Sequence, residues 1–438
     1  MVFKGSLSAW RLQLERTSGY KWLLLALLFL VATLNYADRT AFTPVFPLLK
    51  QDLGMSDLGL AAIGSFFLWS YAAASPFAGY FGDRFSRRSL IIGSLVAWSL
   101  VTALTAFVTT AGQLLAMRLL LGVSEALYMP AAIALLAQFH AGETRGTAMG
   151  VHLAGFQIGV VAGGTLAGYF GDLYGWRPAV LGLGTLGLAL ALLCYFLMAE
   201  PSSRALSSEA DQVGQLPIWT TICDVAKVAS YWVLAGEAML ISVGVWIFTN
   251  WLPLYFKESF SLSLGQAGFS GTATVTLGVV IGILGGGWLS DRVAKQDAGR
   301  RMLLHSACDL AAVPFLFVFW WSNQRQWIAI AIFCFSLMRA LGQANAVPVL
   351  YEVLKPRTWS TAIGLMNTTN CLAGGAGILL AGFLKTNFGL KWAFVGVSAV
   401  VFVAGLLLFI GYKGFLRADL RRSLALPVAT SIHKPLAR

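Results

Sequence analysis

The chain has 438 residues, of which 58% are hydrophobic and only 11% charged, with a formal net charge of +12. A soluble domain carries about 25% charged residues, so these proportions exclude a soluble globular protein and describe an integral membrane protein. The excess Lys and Arg lie in short polar intervals and at the termini rather than in one basic stripe, which excludes a nucleic-acid partner and leaves the lipid bilayer.

Residues 1–21 are amphipathic, carry Lys4, Arg11 and Arg16 and lack a signal-peptide pattern, so they are expected as a cytoplasmic N-terminal segment. Apolar runs long enough to cross ~30 Å of hydrocarbon follow, near 22–47, 58–82, 89–110, 113–138, 146–170 and 178–199. They define a first six-helix bundle over 22–199. Residues 200–230 form a polar linker whose part from Leu216 to Val228 is mixed enough for a surface amphipathic helix. Six more runs, near 231–256, 266–289, 302–322, 327–350, 360–384 and 392–415, define a second bundle over 231–415, and 416–438 is a tail. The expected fold is all-α, with twelve transmembrane helices in two pseudo-symmetric bundles.

By alternate sides, the face holding both termini and the linker carries 22 of the 31 Lys and Arg, the opposite loops carry 6, and Arg39, Arg118 and Arg339 lie within helices. The positive-inside rule places both termini in the cytoplasm of a multi-pass protein of the plasma (inner) membrane. The halves also repeat. Gly79-Tyr80-Phe81-Gly82-Asp83-Arg84 answers to Gly287-Trp288-Leu289-Ser290-Asp291-Arg292 at an offset of 208, and Thr147-Ala148-Met149-Gly150 answers to Thr361-Ala362-Ile363-Gly364 at 214. Two parallel repeats imply a substrate site near the midplane between them.

An ionisable side chain at bilayer depth costs roughly 2.5 kcal/mol or more, so it marks a candidate site. Asp38 and Arg39 lie in the first apolar stretch. Arg39 offers a planar fork that takes a carboxylate in bidentate fashion. Asn35 and Tyr36, four and three residues earlier, share its face, whereas Asp38 points about 100° away. Glu125 is a second buried carboxylate, seven residues beyond Arg118. Gln157 and Asn370 are expected to line the cavity, the alternative being amides that only glue the bundle. Asn250, with Trp246 and Tyr255, offers stacking and hydrogen bonding; Trp69 and Tyr71 are weaker candidates. Arg118 reads as a snorkelling residue near an interface, Arg339 could face the cavity or bond Gln343, and His152 reads as a quiet buried ring. Glu237 and Asp309 stand near helix ends and are assigned no site. The five cysteines read as small core hydrophobes, and neither a metal nor a cofactor site is expected.

The stretch Gly79 to Arg88 resembles the helix 2 to 3 signature of the major facilitator superfamily, and Gly287 to Arg292 resembles its weaker echo. The resemblance covers essentially the whole chain. It implies alternating access, with Gly79, Asp83, Arg84, Arg88, Asp291 and Arg292 forming the cytoplasmic gate. Asn35 to Arg39, Arg118 to Ala126 and Trp251 to Phe256 look like the anion:cation symporters, the group of sialin and bacterial sugar-acid transporters. Asp38-Arg39, Gly122 to Ala126 and Phe85-Ser86-Arg87-Arg88 are also similar to the Spinster-type lysolipid transporters. The resemblance implies that Asp38 and Glu125 are coupling carboxylates and Arg39 the substrate ligand. The expected activity is proton-coupled symport of a small organic anion such as a sugar acid or hexuronate, by a chain working as a monomer and not an enzyme. A Spinster-like lipid carrier and a non-transporting sensor on the same fold are the alternatives.

Overall fold

The computed structural model describes residues 19–140, 144–199, 218–295, 297 and 299–424. Among them are twelve helices long and apolar enough to cross a membrane: α1 (Tyr20–Thr40), α2 (Asp57–Ala78), α3 (Arg87–Thr105), α4 (Ala111–Phe139), α5 (Arg145–Tyr174), α6 (Trp176–Leu197), α7 (Ala229–Phe260), α8 (Leu264–Ala294), α9 (Arg300–Trp321), α10 (Arg325–Val353), α11 (Trp359–Phe388) and α12 (Leu390–Arg422). With an even number of crossings, the start of α1 and the end of α12 share one face, called here the termini face; the opposite one is the far face. A short helix, Ile218–Ala226, leads into α7 from the linker, and residues 200–217 lie outside the description.

Local chemistry sets the boundaries. Ser56 accepts from Gly59 N–H at the start of α2, and Ser263 from Gln266 N–H at the start of α8, so each satisfies an orphan donor of a first turn. Gly175 and Gly389, at φ +85° and +88°, turn α5 into α6 and α11 into α12, a conformation that favours glycine. Their spacing is the 214-residue offset of the sequence repeat.

The prolines correct several expected spans. Pro44, Pro130 and Pro348 each lack an N–H and press on the carbonyl four residues earlier. The first helix therefore ends at Thr40 rather than running to 47, and a separate helix, Phe46–Asp52, follows. The fourth and tenth spans are each two helices, Ala111–Glu125 with Tyr128–Phe139 and Arg325–Gln343 with Ala346–Val353. Glu125 thus sits on the lip of a proline break. At the other end, helix continues past 415, through a π turn, to Leu424.

Packing follows the repeat. In the first half α1 pairs with α5, α2 with α4 and α3 with α6; in the second α7 pairs with α11, α8 with α10 and α9 with α12. The halves meet through α2 against α11 and α5 against α8. Far-face contacts also brace the first half: Trp176 and Arg177 donate to Asp52, and the Arg177 bond holds that carboxyl below the usual carboxylate range.

Candidate functional site

The halves are clasped at the far face. Lys385 on α11 bridges to Asp57 on α2 at 3.0 Å and to Glu258 on α7 at 2.9 Å. Asp172, at the end of α5, accepts the N–H groups of Leu264 and Gly265, both at 2.9 Å, and so caps the first turn of α8 across the interface. Deeper, α5 and α8 cross on glycine: a methyl on Gly268 would stand 2.7 Å from the carbonyl carbon of Gly164. On the other seam Ser65 Oγ donates to Gly375 O at 2.7 Å and Trp69 Nε1 to Leu372 O at 3.1 Å. The Lys385, Asp172 and Gly268 contacts lie in the far half of the bundle, and the Ser65 and Trp69 bonds carry the seam inward to about its middle. A cavity of about 410 Å³ opens outside the clasp, lined by Phe46, Lys50, Asp57, Lys257, Glu258 and Lys385.

Inside the clasp lies a cluster of four buried charges. Arg39 Nε donates to Glu125 Oε2 at 2.7 Å. Glu125 is 14 residues into α4, ~21 Å from the far face at 1.5 Å per residue, and therefore near mid-membrane. The guanidinium carbon of Arg39 is 4.7 Å from the Tyr36 ring, 4.9 Å from Tyr71 and 5.0 Å from Phe67, an aromatic cage that stabilises the cation. Arg118 stacks on Phe42 at 4.5 Å and donates to Ile63 O at 3.4 Å. Its expected snorkelling is overturned: it is 2% exposed, seven residues inside a span, and its charge balances the two acids. Asp38 is 1% exposed, neither of its oxygens has a hydrogen-bond partner, and its charged neighbours are Glu125, Arg118 and Arg39. Arg118 Nη1 is also unpartnered, and the Asn35 amide is set beside the Glu125 carboxylate. Buried polar groups are ordinarily bonded, so this is a site with spare bonding capacity rather than a finished ion pair.

The remaining expected residues fall in several places. Asn35 and Tyr36 join Arg39, with Tyr36 against Phe156 at 4.7 Å. Gln157 is half-buried on α5, one residue from that Phe156. Asn370 keeps a free buried Oδ1 on α11, beside Cys371, which is an electrostatic neighbour of Arg39 across the interface. Asn250 departs from its cavity reading: its amide donates to Trp246 O at 3.0 Å, and Gly64 of α2 packs against its Oδ1. It is seam packing. Tyr255 packs on Phe319 and Phe394 in the second-half core, Trp69 belongs to the clasp, and His152 is sealed against Phe156. Arg88, expected at the gate, donates to Met198 O at 2.6 Å and Tyr195 O at 2.7 Å, the final carbonyls of α6, within its own half. Asp291 lies 3.5 Å from Arg301 and Arg292 stacks on Trp288 at 3.7 Å. The side chains of Gly79, Asp83 and Arg84 lie outside the described residues. Glu237 and Asp309, expected near water, are instead fully buried.

Among known proteins, the family model described as Major Facilitator Superfamily matches residues 28–304 and 234–432. The probable galactarate/D-glucarate transporter GudP of Bacillus subtilis is 24% identical over 90% of this chain and 93% of its own length. Protein spinster homolog 1 of Homo sapiens is 26% identical over 92% of this chain and 83% of its own. A solved bacterial homologue of the human lysosomal transporter Spinster, in an inward-facing and unoccupied conformation, superposes with a TM-score of 0.78 at 17% identity, covering 92% of this chain and 99% of that one.

Proposed function

The chain belongs to the major facilitator superfamily, a family of membrane transporters, and from that premise we propose that it is a proton-coupled symporter of a small organic anion of the sugar-acid class, working as a monomer by alternating access. Both termini and the linker face the cytoplasm in this reading, and the structure is then closed to the outside. Asp83, Arg84, Asp291 and Arg292, with Gly79, form the cytoplasmic gate of the opposite state.

The observation that carries the proposal is the Arg39–Glu125 pair, at 2.7 Å inside an aromatic cage. A substrate carboxylate and the Glu125 carboxylate want the same guanidinium fork. A proton on Glu125 removes its claim on Arg39, so proton and anion bind together, which is the logic of symport. With the anion released and Glu125 ionised, the pair re-forms and the unloaded carrier can return without leaking protons. Asp38, with two unpartnered oxygens beside both arginines, is a second place for a proton in the same cluster. Asn35, Tyr36 and Gln157 from the first half and Asn370 from the second supply hydrogen bonds for hydroxyl-bearing substrates.

The names of the sugar-acid relatives support this cargo. The likeness to the human Spinster homologue, together with Phe85-Ser86-Arg87-Arg88, supports a lysolipid cargo as the second reading. Purified protein in liposomes under an imposed pH gradient tests both. Accumulation of D-glucarate or galactarate is expected; accumulation of a lysolipid alone selects the second reading. If no organic anion or lysolipid moves, a non-transporting sensor is the correct reading.

A further inference from the structure

The second half contains a buried charged cluster that the transport reading leaves unused. Glu237 on α7, His305 and Asp309 on α9 and Arg339 on α10 are all buried. Arg339 Nη1 donates to Glu237 Oε1 at 3.3 Å and Asp309 Oδ1 at 3.5 Å, while its Nη2 donates to Gln343 Oε1 at 2.8 Å. His305 Nε2 stands 3.5 Å from Glu237 Oε1 and 3.8 Å from Asp309 Oδ2. The Glu237 contact is a long hydrogen bond to the His305 ring, whereas Asp309 Oδ2 has no hydrogen-bond partner.

Charge counting says what this arrangement lacks. Two carboxylates and one guanidinium leave a net charge of −1 when the imidazole is neutral, and an uncompensated charge in an apolar interior is costly. One proton makes the cluster neutral. The first-half cluster differs, because Asp38 and Glu125 already face two arginines. Among the described residues, nothing else nearby supplies the missing charge. α9 adds the Cys308 thiol; α8 has no titratable residue between Leu264 and Asp291, α12 none between Lys391 and Tyr412, and Cys371 of α11 stands beside Arg39. Arg301, one turn toward the termini face, is engaged by Glu352 and Asp291.

We propose that Glu237, His305, Asp309 and Arg339 form a second proton-binding site, in which one exchangeable proton resides on His305 and is shared with the two flanking carboxylates. The site ties α7, α9 and α10 together, because Arg339 bridges acids on two neighbouring helices. Losing the proton leaves the two acids competing for one guanidinium. The second half therefore responds to pH independently of the Arg39–Glu125 pair.

The test is a proton count on the purified full chain in detergent, taken between about pH 9 and about pH 5 with an indicator dye, a range spanning an ordinary imidazole. Asp309→Asn leaves one carboxylate and one arginine, a neutral cluster needing no proton. That variant is expected to take up one proton fewer per chain than the parent, and to do so equally in an Arg39→Ala background. Equal uptake by parent and Asp309→Asn overturns the proposal. Should the variant fail to fold, the parent carrying isotope-labelled histidine decides by nuclear magnetic resonance. A His305 ring that changes protonation across the range is expected, and one that stays neutral throughout overturns the assignment.

Discussion

Replacing Gly268 by alanine should push the protein out of the conformation described here. The added methyl would stand 2.7 Å from the carbonyl carbon of Gly164 and 3.3 Å from Pro44 Cβ. The first neighbour is helix backbone, which cannot rotate away as a flexible side chain could. Overpacking of this kind costs about 1–3 kcal/mol. The cost falls only on the state with α5 and α8 in contact at the far face, so the equilibrium between the two access states should move by roughly 5- to 150-fold toward the one parted there. Electron-electron distance measurements between spin labels at Gly112 and Gln324, on opposite halves at the far face, would read the shift, with the five native cysteines replaced. Gly268→Ala should raise the population at longer separation. An unchanged distance distribution in a folded, transporting Gly268→Ala protein would refute the close-crossing argument.

Three further outcomes follow from the same geometry. Lys385→Ala removes the one cation shared by Asp57 and Glu258, leaving Asp57 only Lys50 of its own half, and the far face should open more readily at low ionic strength, with the difference fading as salt screens the exposed Glu258 arm; labelling of a cysteine introduced at Leu60 should accelerate. Arg39→Lys keeps the charge but loses the planar fork and its fit among three aromatic rings. Two charge-assisted hydrogen bonds are worth about 1.5–3 kcal/mol each, so affinity for a sugar acid in a thermal-shift titration should fall by roughly 10-fold or more; unchanged affinity would reject Arg39 as the ligand. Asp52→Asn, by contrast, removes a carboxylate that is half exposed. Its lowered pKa stabilises the fold above the ordinary carboxylate value, a contribution lost only as pH falls through the depressed one. Melting temperature near neutral pH should change little, by less than about 1 kcal/mol in stability terms.

The twelve spans were legible because bilayer thickness imposes one length on every helix, and the repeat was legible because Asp-Arg and Gly-rich stretches recur at nearly one offset. The proline breaks were also written in the sequence, at Pro130 and Pro348, but an apolar run masks them when only its length is read. Arg39 with Glu125 could be anticipated from helical spacing and the scarcity of buried charge. Arg118 could not, since depth along a helix depends on where the far face lies, and α4 begins two residues before its expected start. The second-half cluster was hidden for a different reason. Glu237, His305, Asp309 and Arg339 come from three helices, and no local pattern announces that α7, α9 and α10 bring them within one site. Asn250 shows the converse: a polar residue on an apolar helix looks like a ligand until the neighbouring Gly64 reveals a seam.

The account rests on Glu125 exchanging a proton for its bond to Arg39, and the measurement that tests this most directly compares two fluxes through Glu125→Gln in proteoliposomes. The neutral amide mimics the protonated acid, so it should permit exchange of sugar acid for sugar acid across the membrane while abolishing accumulation driven by a pH gradient. Accumulation equal to that of the parent would contradict the claim.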